Sequence, residues 1–226
     1  MKIFSKEKKS WLDYTNTMYP SSGAFFDANE KGDQGFTYVT EYSNVYGYVL
    51  SGEAHLPNKM IAREGQYFSY WSWGSGEIQY TGQLALFTRI GFRGQDTVGG
   101  PLEKSGRLCY IDGCSDTLII YPPRLGDPSL NALFFPANIN QSYHIHPSIR
   151  LGVVASGSGF ACIKTENGKE KKIPLKKGMT WCIEEKESHR FTTEKESMVV
   201  IAFHPDGDWG PTDHNHIMLN RTYLNK

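Results

Sequence analysis

Short runs of β-branched and aromatic residues recur along the whole 226-residue chain, and turn residues separate them. Val, Ile, Tyr, Phe and Thr favour strands, whereas the Gly and Pro between the runs favour turns. Strands this short and numerous predict an all-β fold of antiparallel jelly-roll barrels with little helix. The runs are FTYVTEY, VYGYVL, QYFSYW, LALFTRIGF, TLIIYPP, NALFFP, IRLGVVAS, GFACIKT, MTWCIEE and SMVVIAF.

A weak internal repeat divides these runs into two sets. VYGYVLSGEAHL followed by REGQYFSYW has the same form as RLGVVASGSGFACI followed by KKGMTWCIEE. Each half is an apolar strand, a glycine turn, a second strand, another glycine and a third strand, which predicts two barrels in tandem. The glycine-rich segment 92–106 breaks the strand rhythm. We therefore expect an N-terminal barrel over residues 1–95 and a C-terminal barrel with a closing tail over residues 96–226.

The charges of the chain balance, with 24 Lys plus Arg and 24 Asp plus Glu. A chain without net positive charge has no broad attraction for nucleic acid or anionic lipid, so we expect neither as a partner. The sequence contains no run of about 18 apolar residues and no apolar segment behind its charged N-terminus. These features predict a cytoplasmic protein that is not exported, with its four cysteines as free thiols.

Three histidines have a spacing that suits a metal site. His144 and His146 stand two positions apart in NQSYHIHPSIR, so on a strand both imidazoles point to the same face. His189 lies in the following run, KKGMTWCIEEKESHRF. Three neutral imidazoles can occupy one face of a divalent metal ion and leave its other positions open for water, oxygen or a substrate. The sequence therefore predicts a metal site formed by these three residues.

The spacing resembles the two motifs of the cupin superfamily. His144 and His146 match the His-x-His pair of the first motif, and Gly157 matches its closing glycine, while Arg150 stands in place of the glutamate. In the second motif, His189 keeps its interval from the preceding glycine. Together with the internal repeat, the resemblance implies a bicupin whose C-terminal barrel holds the metal.

The N-terminal half of the repeat has different residues at the same positions. Aligning the two halves puts Val39, Glu41 and Gly76 at the positions of the three histidines. One carboxylate does not make a metal site, so we expect the N-terminal barrel to be metal-free.

Arg150 changes the chemistry that the resemblance implies. A guanidinium has only donors and stays protonated, so it cannot bind a cation, and the centre has three histidines and no carboxylate. Within the superfamily this is the pattern of iron-dependent dioxygenases, which implies Fe(II), with Zn, Ni or Mn as other candidates. An arginine beside the metal suits bidentate binding of a carboxylate and predicts a small anionic substrate. A protein carboxylate such as Asp213 is the alternative partner.

Two other functions fit the same residues. In a non-redox lyase or isomerase, the metal would act as a Lewis acid and Tyr143 would transfer a proton. In a binding protein, the barrel would hold a sugar or a small acid without turnover. Oxygen consumption separates the dioxygenase from the lyase or isomerase, and turnover separates both from the binding protein.

The C-terminal stretch HPDGDWGPTDHNHIMLNRTYLNK holds three of the seven histidines. We expect it to fold back over a barrel mouth, with Trp209 and Tyr223 packing there. A homodimer would bury exposed sheet edges and is compatible with the sequence. Four residues of the stretch are predicted to line the substrate pocket: Asp213, His214, His216 and Arg221.

Overall fold

The computed structural model describes residues 1–4, 11–28, 35–39, 42–165, 167–207 and 210–224. Within these ranges the only helical elements are three short 3-10 turns, at Ile111–Gly113, Asp213–Asn215 and Leu219–Arg221. The prediction of an all-β fold with little helix is confirmed. No helix in the described part of the chain has the length and apolar character needed to span a bilayer.

Two antiparallel sheets form the N-terminal half. The first eleven strands of the chain are β1 (Lys2–Phe4), β2 (Trp11–Tyr14), β3 (Ser21–Asp27), β4 (Gly35–Val39), β5 (Ser43–Ser51), β6 (Glu53–His55), β7 (Ile61–Arg63), β8 (Tyr67–Ser72), β9 (Gly76–Tyr80), β10 (Gln83–Ile90) and β11 (Thr97–Gly99). One sheet has six strands in the order β11-β8-β5-β10-β3-β2, and the other has four in the order β4-β9-β6-β7.

A nine-stranded antiparallel sheet forms the C-terminal half. It consists of β1 and of β12 (Leu108–Cys109), β13 (Ser115–Ile120), β14 (Ser129–Phe135), β15 (Arg150–Lys164), β16 (Glu170–Lys176), β17 (Thr180–Ile183), β18 (His189–Thr192) and β19 (Met198–His204). The strand order is β1-β17-β15-β19-β14-β13-β12, and β16 and β18 also pair with β15. The central strand β15 is long because it takes part in two layers of the barrel.

Gly157 lies where β15 passes from one layer to the other. Before it, the strand pairs with β17 and β19; after it, the strand pairs with β16 and β18. Gly157 has a φ of +70°, and a Cβ there would overlap the carbonyl group of Ser197. Only glycine fits this position, which explains the glycine that closes the first sequence motif.

Three hydrophobic clusters fill the spaces between the sheets. One fills the interior of the N-terminal unit, a second lies between the six-stranded and nine-stranded sheets, and a third fills part of the C-terminal interior. On β5, for example, Val45 and Val49 face the N-terminal interior, whereas Tyr46 and Tyr48 face the other half of the molecule. Strands buried on both faces explain why the sequence runs are continuously apolar.

The division of the chain differs from the predicted boundary at both ends. Strand β1 pairs with β17, so Lys2–Phe4 belongs to the C-terminal sheet rather than to the barrel predicted over residues 1–95. Strand β11 pairs with β8, so the N-terminal sheet continues to Gly99, beyond residue 95. Backbone pairing between distant segments decides both points, and no local sequence signal marks it.

The N-terminal interior is filled at two of the three positions that match the histidines. Val39 is buried in the apolar cluster. Gly76 leaves no room for a side chain, because a Cβ there would lie 2.5 Å from the hydroxyl of Tyr70. Glu41 lies outside the described residues, so the metal-free character of this unit stays a prediction.

Candidate metal centre

His144, His146 and His189 come together at one end of the C-terminal interior. Their ligand nitrogens all lie within 4.8 Å of one another. The ring centroids are 4.4 Å apart for His144 and His189, 5.0 Å for His146 and His189, and 5.1 Å for His144 and His146. Ile145 points away and is exposed, as the alternation of an extended segment requires. The structure therefore brings together the three residues that the sequence predicted.

Backbone pairing fixes the relative positions of two of these histidines. His144 and His189 form an isolated antiparallel bridge, and each backbone N–H donates to the carbonyl of the other at 3.0 Å. The carbonyl of His146 accepts from the N–H of Lys186 at 2.9 Å. Because the backbone is held by these hydrogen bonds, the imidazoles are preorganised before any ligand arrives.

Hydrogen bonds at Nδ1 set the tautomer of two rings. Nδ1 of His144 lies 3.0 Å from the carbonyl oxygen of Ser142, and Nδ1 of His189 lies 2.8 Å from that of Glu187. A carbonyl oxygen only accepts, so Nδ1 carries the proton and Nε2 keeps a free lone pair. Nε2 of His189 is buried without a hydrogen-bond partner among the described residues. A divalent metal ion fits these donors, because it would satisfy that buried nitrogen.

Burial keeps two of the imidazoles neutral. It lowers the pKa of His146 to about 3, and the positive charge of Arg150 adds to the effect. Burial also lowers the pKa of His189 to about 3, with a further contribution from the neighbouring His144. Neutral imidazole is the form that binds a metal, so neither ring needs to lose a proton near pH 7.

A cavity of about 60 Å³ adjoins the histidines. Two layers of the barrel form its walls, which we call the histidine wall and the opposite wall. The histidine wall consists of Gln141, His144, His146, His189 and Phe191, from residues 141–146 and β18. The opposite wall consists of Asp116, Asn131, Leu133, Arg150, Trp181, Ile183, Val200, Ala202 and His204, from β13, β14, β15, β17 and β19, and Tyr110 also lines the cavity.

Arg150 is buried and lines the cavity, but it belongs to the opposite wall. The chain bends at residues 147–148, so Arg150 begins β15 instead of continuing the strand of the histidines. Its Nη1 donates to the hydroxyl of Ser148 at 2.5 Å and lies 3.7 Å from Oδ1 of Asp206. The Ser148 hydroxyl in turn donates to Asp206. The carboxylate that pairs with Arg150 is therefore Asp206, and the proposed pairing with Asp213 is wrong.

The opposite wall also carries a polar pair that sequence reasoning missed. Nδ2 of Asn131 donates to Oδ2 of Asp116 at 2.8 Å. Burial raises the pKa of the Asp116 carboxyl, and the hydrogen bond from Asn131 opposes this effect. Asn131 lies in the otherwise apolar run NALFF, and this polar residue at a strand position was the signal available in the sequence.

His204 is a fourth histidine at the cavity. The sequence placed it in the C-terminal stretch and predicted no role for it. It ends β19, two residues after Ala202, so both face the cavity. Burial lowers its pKa well below the ordinary value, and the nearby Arg150 and His146 act in the same direction. The apolar run VVIAFH, in which His204 is the last strand residue, could have indicated its inward position.

Tyr143 lies outside the cavity. Its hydroxyl donates to Oε2 of Glu170 at 2.7 Å, and its ring packs under the guanidinium of Arg190. Burial and the hydrogen bond to Glu170 raise its pKa to about 12. Tyr143 alternates with His144 along an extended segment and therefore points to the other face, so the structure does not place it for proton transfer at the histidines.

The C-terminal residues do not reach this cavity. Asp213, His214, His216 and Arg221 are all exposed, and none of them lines it. Tyr223 is 87% exposed instead of packed, and Trp209 lies outside the described residues. The expectation that these four residues form the substrate pocket is not met, because the stretch forms short turns on the surface, where the Thr212 side chain accepts from the N–H of Asn215.

Comparison with known proteins identifies the fold. No protein-family model and no curated protein matches the sequence. Among solved structures, a cupin 2 conserved barrel domain protein from Leptotrichia buccalis has a TM-score of 0.56 at 15% identity, over 88% of this chain and 90% of that chain. A variant of Bacillus subtilis oxalate decarboxylase has a TM-score of 0.54 at 10% identity, over 92% of this chain and 78% of that chain. At such low identity, the similarity concerns the fold.

Proposed function

Because this chain has the cupin fold and groups three histidines without a carboxylate, we propose that it is a metal-dependent enzyme. Within that class, the proposal is a non-haem Fe(II) dioxygenase that oxidises a small organic acid. His144, His146 and His189 would hold the ion, His144 and His189 through their Nε2 atoms. A bound divalent ion would supply Lewis acidity and open coordination positions there, and iron would also let electrons pass from the organic substrate to dioxygen.

The donor set is the observation that carries this proposal. Imidazoles are neutral ligands, so the ion keeps its full positive charge, which favours an anionic substrate at the open positions. Among the described residues, no carboxylate joins the group of histidines, and Arg150 takes the place that a glutamate would have in the motif. The hydrogen bonds at Nδ1 of His144 and His189 orient the rings towards a common point.

The cavity limits the size of the substrate. A buried water needs about 10–15 Å³ measured in the same way, so 60 Å³ holds roughly four to six water-sized groups. This volume suits an acid of a few carbon atoms. The buried side chains of Trp181 and Ile183 make part of the cavity wall apolar.

Arg150 no longer supports an anionic substrate in the way that the sequence suggested. Its guanidinium lies beside the carboxylate of Asp206, so its charge is balanced inside the protein. The attraction for a carboxylate comes instead from the metal ion. The role of Arg150 is then to hold β15 and the loop that carries Asp206 in place beside the cavity.

A lyase or isomerase is the second candidate, and two observations favour it. One is the likeness to oxalate decarboxylase, an enzyme with Mn(II) centres. The other is Asp116, a carboxyl that lines the cavity and whose pKa burial raises, which makes it a stronger proton acceptor than an exposed carboxylate. In this reaction Asp116 would donate to or accept from the substrate, and no dioxygen would be consumed.

Metal analysis and oxygen uptake test the proposal together. The protein is purified without added metal, its metals are measured, and oxygen is followed with a panel of hydroxy, amino and keto acids of two to six carbons. We expect about one iron per chain and oxygen uptake with one acid class. The matched control is His55→Ala, since His55 pairs with Glu53 on the N-terminal surface and should keep both signals.

Other outcomes select the alternatives. Manganese, zinc or nickel with turnover but without oxygen uptake would identify a lyase or isomerase. A metal-loaded protein that binds an acid without turning it over would identify a binding protein.

A further inference from the structure

Two acceptor atoms beside the cavity have no donor. Oδ1 of Asp116 and Oδ1 of Asn131 are buried without a hydrogen-bond partner among the described residues. Asn131 is only 6% exposed. Buried polar atoms in folded proteins nearly always have partners, so two such atoms side by side require an explanation.

The pairing of the two side chains leaves them as acceptors only. Nδ2 of Asn131 donates to Oδ2 of Asp116, which uses the donor group of the amide. An ionised carboxylate and an amide oxygen can then only accept. The missing partner must therefore carry an N–H or O–H group.

The pair lies in the wall that faces the metal ligands. Asn131, Ala202, Gly152 and Trp181 form one row across strands β14, β19, β15 and β17. The ring of Trp181 covers Gly152, but Ala202 has a small side chain, so the space beside Asn131 is open towards the cavity. A molecule held at the histidine wall can reach Asn131 across this space.

We propose that Asp116 and Asn131 form an acceptor subsite that binds a hydroxyl or amino group of a small acid whose carboxylate is held at the histidine centre. The inference deepens the proposed function and rests on it for the position of the carboxylate. It identifies the substrate class as short acids with a hydrogen-bond donor, rather than simple fatty acids or dicarboxylic acids.

Three matched probes test the subsite. Propionate, L-lactate and L-alanine have the same carbon skeleton. At C2, propionate has no hydrogen-bond donor, lactate has a hydroxyl group and alanine has an ammonium group. Their binding to the Mn(II)-loaded protein is measured by calorimetry. We expect lactate or alanine to bind about tenfold or more tightly than propionate, because propionate leaves both acceptors unpaired. The comparison of lactate with alanine shows which donor the subsite prefers.

The double variant Asp116→Leu with Asn131→Leu removes both acceptors and keeps the shape of the side chains. We expect it to lose the preference, with unchanged metal content and unchanged affinity for propionate. Its melting temperature should not fall, because replacing both polar groups with apolar ones removes the need for a partner. Asp116→Asn is a second, isosteric variant, in which one acceptor becomes a donor and the preference for lactate or alanine should fall.

Ser129→Ala is the control, since Ser129 is buried on the same strand but does not line the cavity. The hydroxyl of lactate can also bind the metal, and this contribution is the same in all variants. Only a preference for lactate or alanine over propionate that disappears with the two acceptors therefore supports the subsite. Equal binding of the three probes to the wild type, or an unchanged preference in the double variant, would overturn it. Loss of the preference in a protein that consumes no oxygen would support the subsite and reject only the dioxygenase.

Discussion

The two halves of the molecule share a strand arrangement and differ in what fills it. Strands β8-β5-β10-β3 in the N-terminal half and β17-β15-β19-β14 in the C-terminal half have the same order and direction. The matching row of the N-terminal half is Phe68, Gly47, Leu86 and Ala24, and that of the C-terminal half is Trp181, Gly152, Ala202 and Asn131. In both rows an aromatic ring covers a glycine whose Cβ would collide with it.

The rows diverge at the third and fourth positions. Leu86 packs into the N-terminal apolar cluster, whereas Ala202 lines the C-terminal cavity. Ala24 corresponds to Asn131, whose amide oxygen has no partner among the described residues. We therefore call the N-terminal barrel solid, because its inward residues pack into an apolar cluster, and the C-terminal barrel hollow, because its inward residues line a cavity.

Buried polar groups follow the same division. In the N-terminal half, Nδ2 of Asn44 donates to the hydroxyl of Ser69, and its Oδ1 accepts from the N–H of Gly94. In the C-terminal half, Trp181 Nε1 and His189 Nε2 are unpaired, besides the two acceptors of the subsite. In the N-terminal half, Trp71 Nε1 is likewise without a hydrogen-bond partner among the described residues. A cavity with unpaired polar groups destabilises a fold, so its presence in one half indicates a site for a ligand.

The largest effect is expected from removing a metal ligand. His189→Ala should reduce the bound metal from about one ion per chain to less than a tenth of that, because two imidazoles do not hold a divalent ion firmly in this cavity. Elemental analysis of the purified protein measures this. His55→Ala, in the N-terminal half, should leave metal content unchanged, and equal metal in both variants would place the site elsewhere.

Arg150→Val tests a position at which the two halves differ. Val45 stands two residues before Gly47, as Arg150 stands two residues before Gly152, so this variant puts the N-terminal residue into the C-terminal half. The carboxylate of Asp206 would stay buried without its cation, so we expect a loss of about 3–5 kcal/mol in the free energy of unfolding. Urea denaturation measures it. Adding Asp206→Asn should restore part of the loss, and a cost below about 1 kcal/mol for the single variant would show that the ion pair contributes little.

Leu86→Ala tests whether the solid barrel can be made hollow. Leu86 is 5% exposed, and its removal leaves a space in a packed apolar cluster. We expect a loss of about 2–5 kcal/mol in the free energy of unfolding, measured in urea. Because this unit is far from the histidine centre along the chain, metal content should stay the same.

Ala202→Leu is the reciprocal change and fills the hollow barrel. The added carbon atoms enter the cavity, so the cost in the free energy of unfolding should be smaller than for Leu86→Ala and within about 1–3 kcal/mol. Binding of L-lactate to the Mn(II)-loaded protein should be lost, while metal content is retained. If lactate still binds with its original affinity, the ligand does not occupy the space beside Ala202.

The acid sensitivity of the metal-free protein tests the two buried imidazoles of the C-terminal half. His146 and His189 have a pKa of about 3 in the folded state, below the value of about 6.5 for unfolded histidine. Between these values the unfolded chain binds more protons, so stability falls as the pH falls below about 6.5. The melting temperature should decrease from pH 7 to pH 4, and His146→Gln should reduce the slope. An equal slope in that variant would assign the acid sensitivity to other groups.

Several parts of this protein follow from local sequence. The strands and their turns come from β-branched and aromatic runs separated by glycine. Alternation puts His144 and His146 on one face, and the motif interval identifies His189. The inward position of Arg150 was also predicted, although the reason was incomplete. The bend at residues 147–148 moves it to the opposite wall, and a bend of two residues leaves no clear mark in the sequence.

The tertiary structure alone decided which groups meet across the barrel. Ser148 meets Asp206 from 58 residues away, and Asn131 meets Asp116 from a neighbouring strand that the sequence does not identify as its partner. Strand β1 joins β17 across almost the whole length of the chain. Local propensity specifies which residues extend and which face inward, but pairing between distant strands depends on the packing of the whole domain. The sequence by itself therefore determined the barrel and the grouping of its three histidines, while only the tertiary structure determined the opposite wall of the cavity.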